Sequence, residues 1–122
     1  MSEKEFLLSI DSKKIKYGLS RTKALLQACG NPEKKLRSIQ IVGTNGKGST
    51  AAMIANVLIN NNYNIGLFTS PHLVEINERI RVNHQHISDV FIEDFILKYK
   101  QSILSIEPSF FEIITALSLY YF

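Results

Sequence analysis

Along this chain, apolar and β-branched residues gather in short runs separated by polar turns, and the spacing inside each run predicts its structure. Ser20 is a plausible cap for a helix predicted to reach about Cys29, with Gly30 as its stop and Asn31-Pro32 as a turn. After a lysine-rich connector, Ser38-Ile39-Gln40-Ile41-Val42 reads as a short buried strand. A glycine-rich turn from Gly43 to Gly48 opens the next helix, where Ala51, Ile54, Ala55 and Leu58 share one apolar face. Asn60-Asn61-Asn62 ends that helix, and Ile65-Gly66-Leu67-Phe68 is a second short strand. Strand, turn, helix and strand within about thirty residues make the βαβ unit of a parallel sheet.

Thr69 to Asn77 is a loop holding Ser70-Pro71-His72, and Arg79-Ile80-Arg81-Val82 alternates as a half-exposed strand should. Asn83-His84-Gln85 is a hairpin tip, and His84 and His86 are expected to be solvated histidines there. Ser88 caps a helix with Ile92, Phe95, Ile96, Tyr99 and Ile103 on one side. Pro108-Ser109 then starts a last helix, apolar nearly all round and so expected to be deeply buried. It is still apolar at Tyr120-Tyr121-Phe122, without a C-cap signal, and two or three parallel strands alone would leave an unpaired edge. Residues 1–122 are therefore expected to be one α/β region, the amino-terminal part of a larger domain.

Composition narrows the function classes. The hydrophobic fraction of 45% and charged fraction of 20% are those of an ordinary globular protein. The net charge of +3 is spread over a helix and its flanks, including Lys13, Lys14 and Arg21, as a solvated surface would be; a nucleic-acid binder ranks last. Cys29 is the only cysteine, which excludes an intrachain disulfide and a cysteine zinc site and suits a small buried hydrophobe. The apolar stretch from Ile113 to Phe122 is too short to cross a bilayer, and no charged-then-apolar leader opens the chain; a cytoplasmic protein is expected.

The strongest chemical signal is Gly43-Thr44-Asn45-Gly46-Lys47-Gly48-Ser49-Thr50 between a strand and a helix. Glycines let the backbone turn tightly and aim N–H groups at a phosphate, above the positive end of the helix. Lys47 would neutralise the β and γ phosphates. The strict P-loop spacing is not met, since Ile41 stands at its first glycine and Gly48 at its hydroxyl residue.

That shortened loop resembles the phosphate loop of the Mur ligase superfamily, and Gly-Thr-Asn-Gly-Lys-Gly-Ser resembles its folate branch, the folylpolyglutamate and dihydrofolate synthases. Three further segments resemble the same branch in order: Tyr17-Gly18-Leu19-Ser20-Arg21, Thr69-Ser70-Pro71-His72-Leu73 continuing through Asn77-Glu78-Arg79-Ile80, and Ser109-Phe110-Phe111-Glu112 with Thr115-Ala116. The resemblance implies a P-loop, three-layer parallel-sheet domain, incomplete here, and an ATP-dependent ligase that adds L-glutamate to folate or dihydropteroate through an acyl phosphate. It implies ATP-phosphate contacts from Thr44, Asn45, Gly46 and Lys47, with Gly48 and Ser49 completing the helix start and Lys47 as the catalytic group. Ser70 is implied as a Mg²⁺ ligand. Ser109, Phe110, Phe111 and Glu112 are implied to line the pteridine pocket, one phenylalanine stacking on the ring; Ser109-x-x-Glu112 is also a capping box. The resemblance further implies a monomer when complete, with a glutamate-binding domain outside this chain. Two other readings stand beside it: a different P-loop enzyme such as a small-molecule kinase, and a nucleotide-binding chain without catalysis.

Overall fold

The computed structural model describes residues 2–10 and 16–122, so Lys13 and Lys14 lie outside the described residues. The chain divides into two compact units, one from Met1–Leu36 and Ser88–Tyr121, the other from Arg37–Ile87 with Phe122.

The first unit is helical. Its α1 spans Glu3–Ser9, α2 Ser20–Ala28, α4 Asp89–Ile106 and α5 Phe110–Tyr121, with a 3-10 turn at Pro32–Lys35. The pattern did not single out α1, although Ser2-x-x-Glu5 is a capping box. The Ser2 hydroxyl accepts the Glu5 N–H at 3.1 Å and the Glu5 carboxylate accepts the Ser2 N–H at 2.8 Å. Ion pairs from Lys4 to Asp89 at 2.7 Å and Lys100 to Glu3 at 3.0 Å flank the packing of α1 on α4. Ser20 does not cap α2 but lies inside its first turn, after a bend at Gly18, which has φ +92°. Gly30, at φ +86°, ends α2 as expected.

Ser88 caps α4 by accepting the Phe91 N–H at 3.1 Å, and Ile92, Phe95, Ile96 and Ile103 are buried along one side. Tyr99, half-buried on that side, meets Tyr120 of α5 with ring centroids 5.5 Å apart. Ile113, Ile114, Ala116 and Leu117 bury α5 deeply, and it packs against α2, α4 and the Pro32–Lys35 turn.

The second unit holds α3 (Lys47–Asn60), a 3-10 turn at Ile76–Arg79, and strands β1 (Gly66–Phe68), β2 (Ile80–Val82) and β3 (Gln85–His86). Ala55 is buried, and Ala51, Ile54 and Leu58 beside it are half-buried, which is the face the spacing predicted. The sheet order is β1-β2-β3 and every pairing is antiparallel, with Leu67 opposite Arg81 and Arg81 opposite His86. Asn83 and His84, at φ 49° and 73°, make the two-residue turn whose twist suits a hairpin.

Here the expected parallel-sheet architecture needs correction. Among the described residues the structure is mostly helical with a small antiparallel sheet, and no parallel P-loop sheet forms. Residues 36–43 carry no regular secondary structure, and Ile39 and Val42 are 68% and 82% exposed where a buried strand was expected. A parallel strand needs hydrogen-bonding neighbours and covered faces, and no described strand pairs with 38–42. β1 instead takes the partner closest along the chain.

Candidate functional site

Residues 44–46 bend sharply, and Gly46 at φ 75° adopts the left-handed conformation that glycine supplies at little cost, just before α3 begins at Lys47. The Thr50 N–H makes the first helical bond, to the Gly46 carbonyl at 3.0 Å. The amides of Lys47, Gly48 and Ser49 therefore precede the helical ladder, and no side chain caps this end. Three donors and the positive end of a fourteen-residue helix thus converge beside an exposed loop. The Lys47 ammonium donates to the Gly43 carbonyl, which holds the cation over the same loop. Thr44 and Asn45 are exposed on its outer side.

In the same unit, Ser70 is exposed in the loop after β1, and its peptide bond to Pro71 is cis. The loop is tied down from the far end of the 3-10 turn. The Glu78 carboxylate accepts N–H bonds from Leu73 at 2.7 Å, Val74 at 3.1 Å and Glu75 at 3.1 Å. Those bonds, Glu75's foremost, hold the Glu78 carboxyl below its ordinary range. Arg79 donates from Nε to His72 Nδ1 at 2.7 Å, and burial lowers the Arg79 pKa. Among the described residues no group of three His, Cys, Asp or Glu side chains is arranged to hold a metal.

The helical unit brings Ser109 and Glu112 together as the capping box predicts: the Ser109 N–H donates to Glu112 Oε2 at 2.9 Å, and the Glu112 N–H donates to Ser109 Oγ at 3.2 Å. Both residues are buried. The two phenylalanines between them part ways, for Phe110 is 3% exposed and belongs to the core, whereas Phe111 is 51% exposed. Only Phe111 therefore offers substantial ring area to a ligand.

Arg21 was the residue sequence reasoning missed. Its Nε donates to Glu112 Oε2 at 3.1 Å and its Nη2 to Glu112 Oε1 at 3.0 Å, while Nη2 also reaches the Tyr17 carbonyl at 2.9 Å. The available signal was its place in the Tyr17-Gly18-Leu19-Ser20-Arg21 segment; as one of many basic residues it read as solvated surface.

No protein-family model matches the chain. It is 41% identical over 114 residues to the dihydrofolate synthase/folylpolyglutamate synthase of Bacillus subtilis, which covers 88% of this chain and 26% of that protein. The crystal structure of the Thermotoga maritima folylpolyglutamate synthase superposes with a TM-score of 0.88 at 36% identity, covering 97% of this chain and 28% of that one. A solved FPGS–AMPPCP–folate complex gives a TM-score of 0.82 at 35% identity, over 100% of this chain and 32% of that one. The chain thus spans only part of the length of these relatives, 26% to 32% in the three.

Proposed function

We propose that this chain, a homologue of the folylpolyglutamate and dihydrofolate synthases, supplies the phosphate-binding and folate-binding parts of an ATP-dependent ligase that joins L-glutamate to folate or dihydropteroate. The observation that carries the reading is the uncapped start of α3, where Lys47 and the amides of Lys47, Gly48 and Ser49 converge on one exposed loop.

In the proposed reaction a substrate carboxylate oxygen attacks the γ-phosphorus of ATP, ADP leaves, and an acyl phosphate forms. The glutamate amine then attacks the acyl carbon, phosphate departs, and an amide remains. The first step needs positioning and charge neutralisation more than covalent help from the protein. Gly46 and the amides after it orient the triphosphate. Thr44 and Asn45 offer polar groups along the loop, and Lys47 exchanges its Gly43 carbonyl bond for phosphate oxygens. Phe111 presents a face to the pteridine, and Ser109, Glu112 and buried Phe110 keep that turn rigid.

Ser70 fits the role of one oxygen donor to Mg²⁺, being exposed and on a loop pinned by Glu78. A single hydroxyl fills one position of an octahedral shell, so other oxygens must supply the rest. When bound, the ion would neutralise charge on the phosphate oxygens. The second reading, a nucleotide-binding chain without ligation, draws on the same uncapped α3 start, which can hold a phosphate without any ligation step.

Calorimetric titration of ATP into the chain and its Lys47→Ala variant tests the phosphate loop. The variant is expected to bind ATP at least about tenfold more weakly, on the scale of one lost charge-assisted contact. Equal affinities would remove the assignment. Folate- and glutamate-dependent ADP release above the Lys47→Ala background would favour the ligase over the non-catalytic reading.

A further inference from the structure

The Glu112 carboxylate is the acceptor that links the Ser109–Glu112 turn to Arg21. Glu112 spends Oε1 on Arg21 Nη2 at 3.0 Å and Oε2 on both Arg21 Nε at 3.1 Å and the Ser109 N–H at 2.9 Å. Three of its roughly four lone-pair positions are thereby committed within the protein. Buried and so engaged, Glu112 is poorly placed to recognise a ligand by itself. The same guanidinium also holds the Tyr17 carbonyl at 2.9 Å. Arg21 therefore ties the backbone of one exposed aromatic residue, Tyr17, to the turn that presents another, Phe111.

We propose that Arg21 is a positioning residue for the substrate: by clamping Glu112 and the Tyr17 carbonyl together, it sets where the Phe111 ring meets a planar heteroaromatic group, the pteridine end of a folate. This rests on the folate reading given above. The clamp depends on the arginine fork, because its planar donors engage both carboxylate oxygens, whereas a lysine offers one ammonium point charge.

The test titrates folate, and separately ATP, into the 122-residue chain and its variants by calorimetry, with thermal melts alongside. Phe111→Ala examines the folate reading, and Arg21→Gln, Glu112→Gln and their combination examine the clamp. Folate is expected to bind the unsubstituted chain, about tenfold more weakly after Phe111→Ala and about tenfold more weakly after Arg21→Gln, the scale of one lost strong contact. ATP affinity should stay constant, and the double variant should be no weaker than either single one, since both remove the same interaction. Arg21→Lys keeps the charge and loses the fork; should Arg21→Gln fail to fold, a loss of folate affinity of about threefold or more in Arg21→Lys carries the same conclusion. Unchanged folate affinity in a folded Arg21→Gln or Arg21→Lys chain overturns the role of Arg21 and leaves the folate reading standing. A parallel fall in ATP affinity overturns it too, by marking general damage. No folate binding by the unsubstituted chain, or binding indifferent to Phe111→Ala, overturns the folate reading and the clamp with it.

Discussion

Arg21 and Glu112, 91 residues apart in the chain, form a bidentate ion pair at 3.0 and 3.1 Å that joins the start of α2 to the start of α5. Glu112 is buried, and its carboxylate simultaneously closes the cap of its own helix. Removing Glu112 therefore strands a cation and uncaps α5 together. Glu112→Ala is expected to lower unfolding free energy by about 2–4 kcal/mol, and Ser109→Ala by about 1 kcal/mol, because the latter loses only a cap. Urea unfolding of the three proteins checks the order; equal losses would mean that the ion pair contributes nothing beyond the cap.

Ser70 lies exposed on its loop, so its expected contribution is to the metal and not to the fold. Ser70→Ala should leave stability within about 1 kcal/mol, as for most surface substitutions. It should also raise the Mg²⁺ concentration at which ATP affinity reaches its plateau. ATP titrations across a Mg²⁺ series read this directly, and a large stability loss with an unaltered Mg²⁺ profile would return Ser70 to a purely structural turn.

Glu78 gathers the N–H groups of Glu75, Leu73 and Val74, and these bonds hold its carboxyl below the ordinary 4.5. A carboxyl depressed in the folded state contributes stability above its unfolded pKa and loses it as pH falls through the folded value. Acidification below about 4.5 is therefore expected to loosen residues 73–75. Amide exchange at Leu73, Val74 and Glu75, corrected for intrinsic rates, should accelerate there, and Glu78→Gln should show the faster exchange already at neutral pH.

Cys29 is buried at the end of α2, and burial pushes its thiol up to about 11 from 9.0, with Lys98 opposing the rise. Between those values the unfolded chain loses the proton while the folded one keeps it, so this group's contribution to stability falls as pH rises from about 9 to about 11. At neutral pH the thiol should be inert to an aromatic disulfide reagent until the chain unfolds. Labelling as fast as a free thiol in the native chain would contradict the burial.

Many local features were legible in the sequence because each is decided within a few residues. Gly30 ends α2 through a positive φ, Ser88 caps α4 three residues ahead, and Ser109 and Glu112 meet across one helical turn. The α3 face at Ala51, Ile54, Ala55 and Leu58 follows from helical periodicity, and the glycine-rich loop before it from the conformations only glycine reaches easily. Ser20 misled by one residue, since Leu19 takes the N-cap position and Ser20 is the first helical residue. The tertiary structure alone decided that β1 pairs antiparallel with β2, that 38–42 joins no described strand, and that Arg21 closes on Glu112 and not on solvent. A strand's character is written in its own residues, but its hydrogen bonds are completed by another stretch of chain, and a cation's role depends on which carboxylate the fold brings within 3 Å, about the reach of one hydrogen bond.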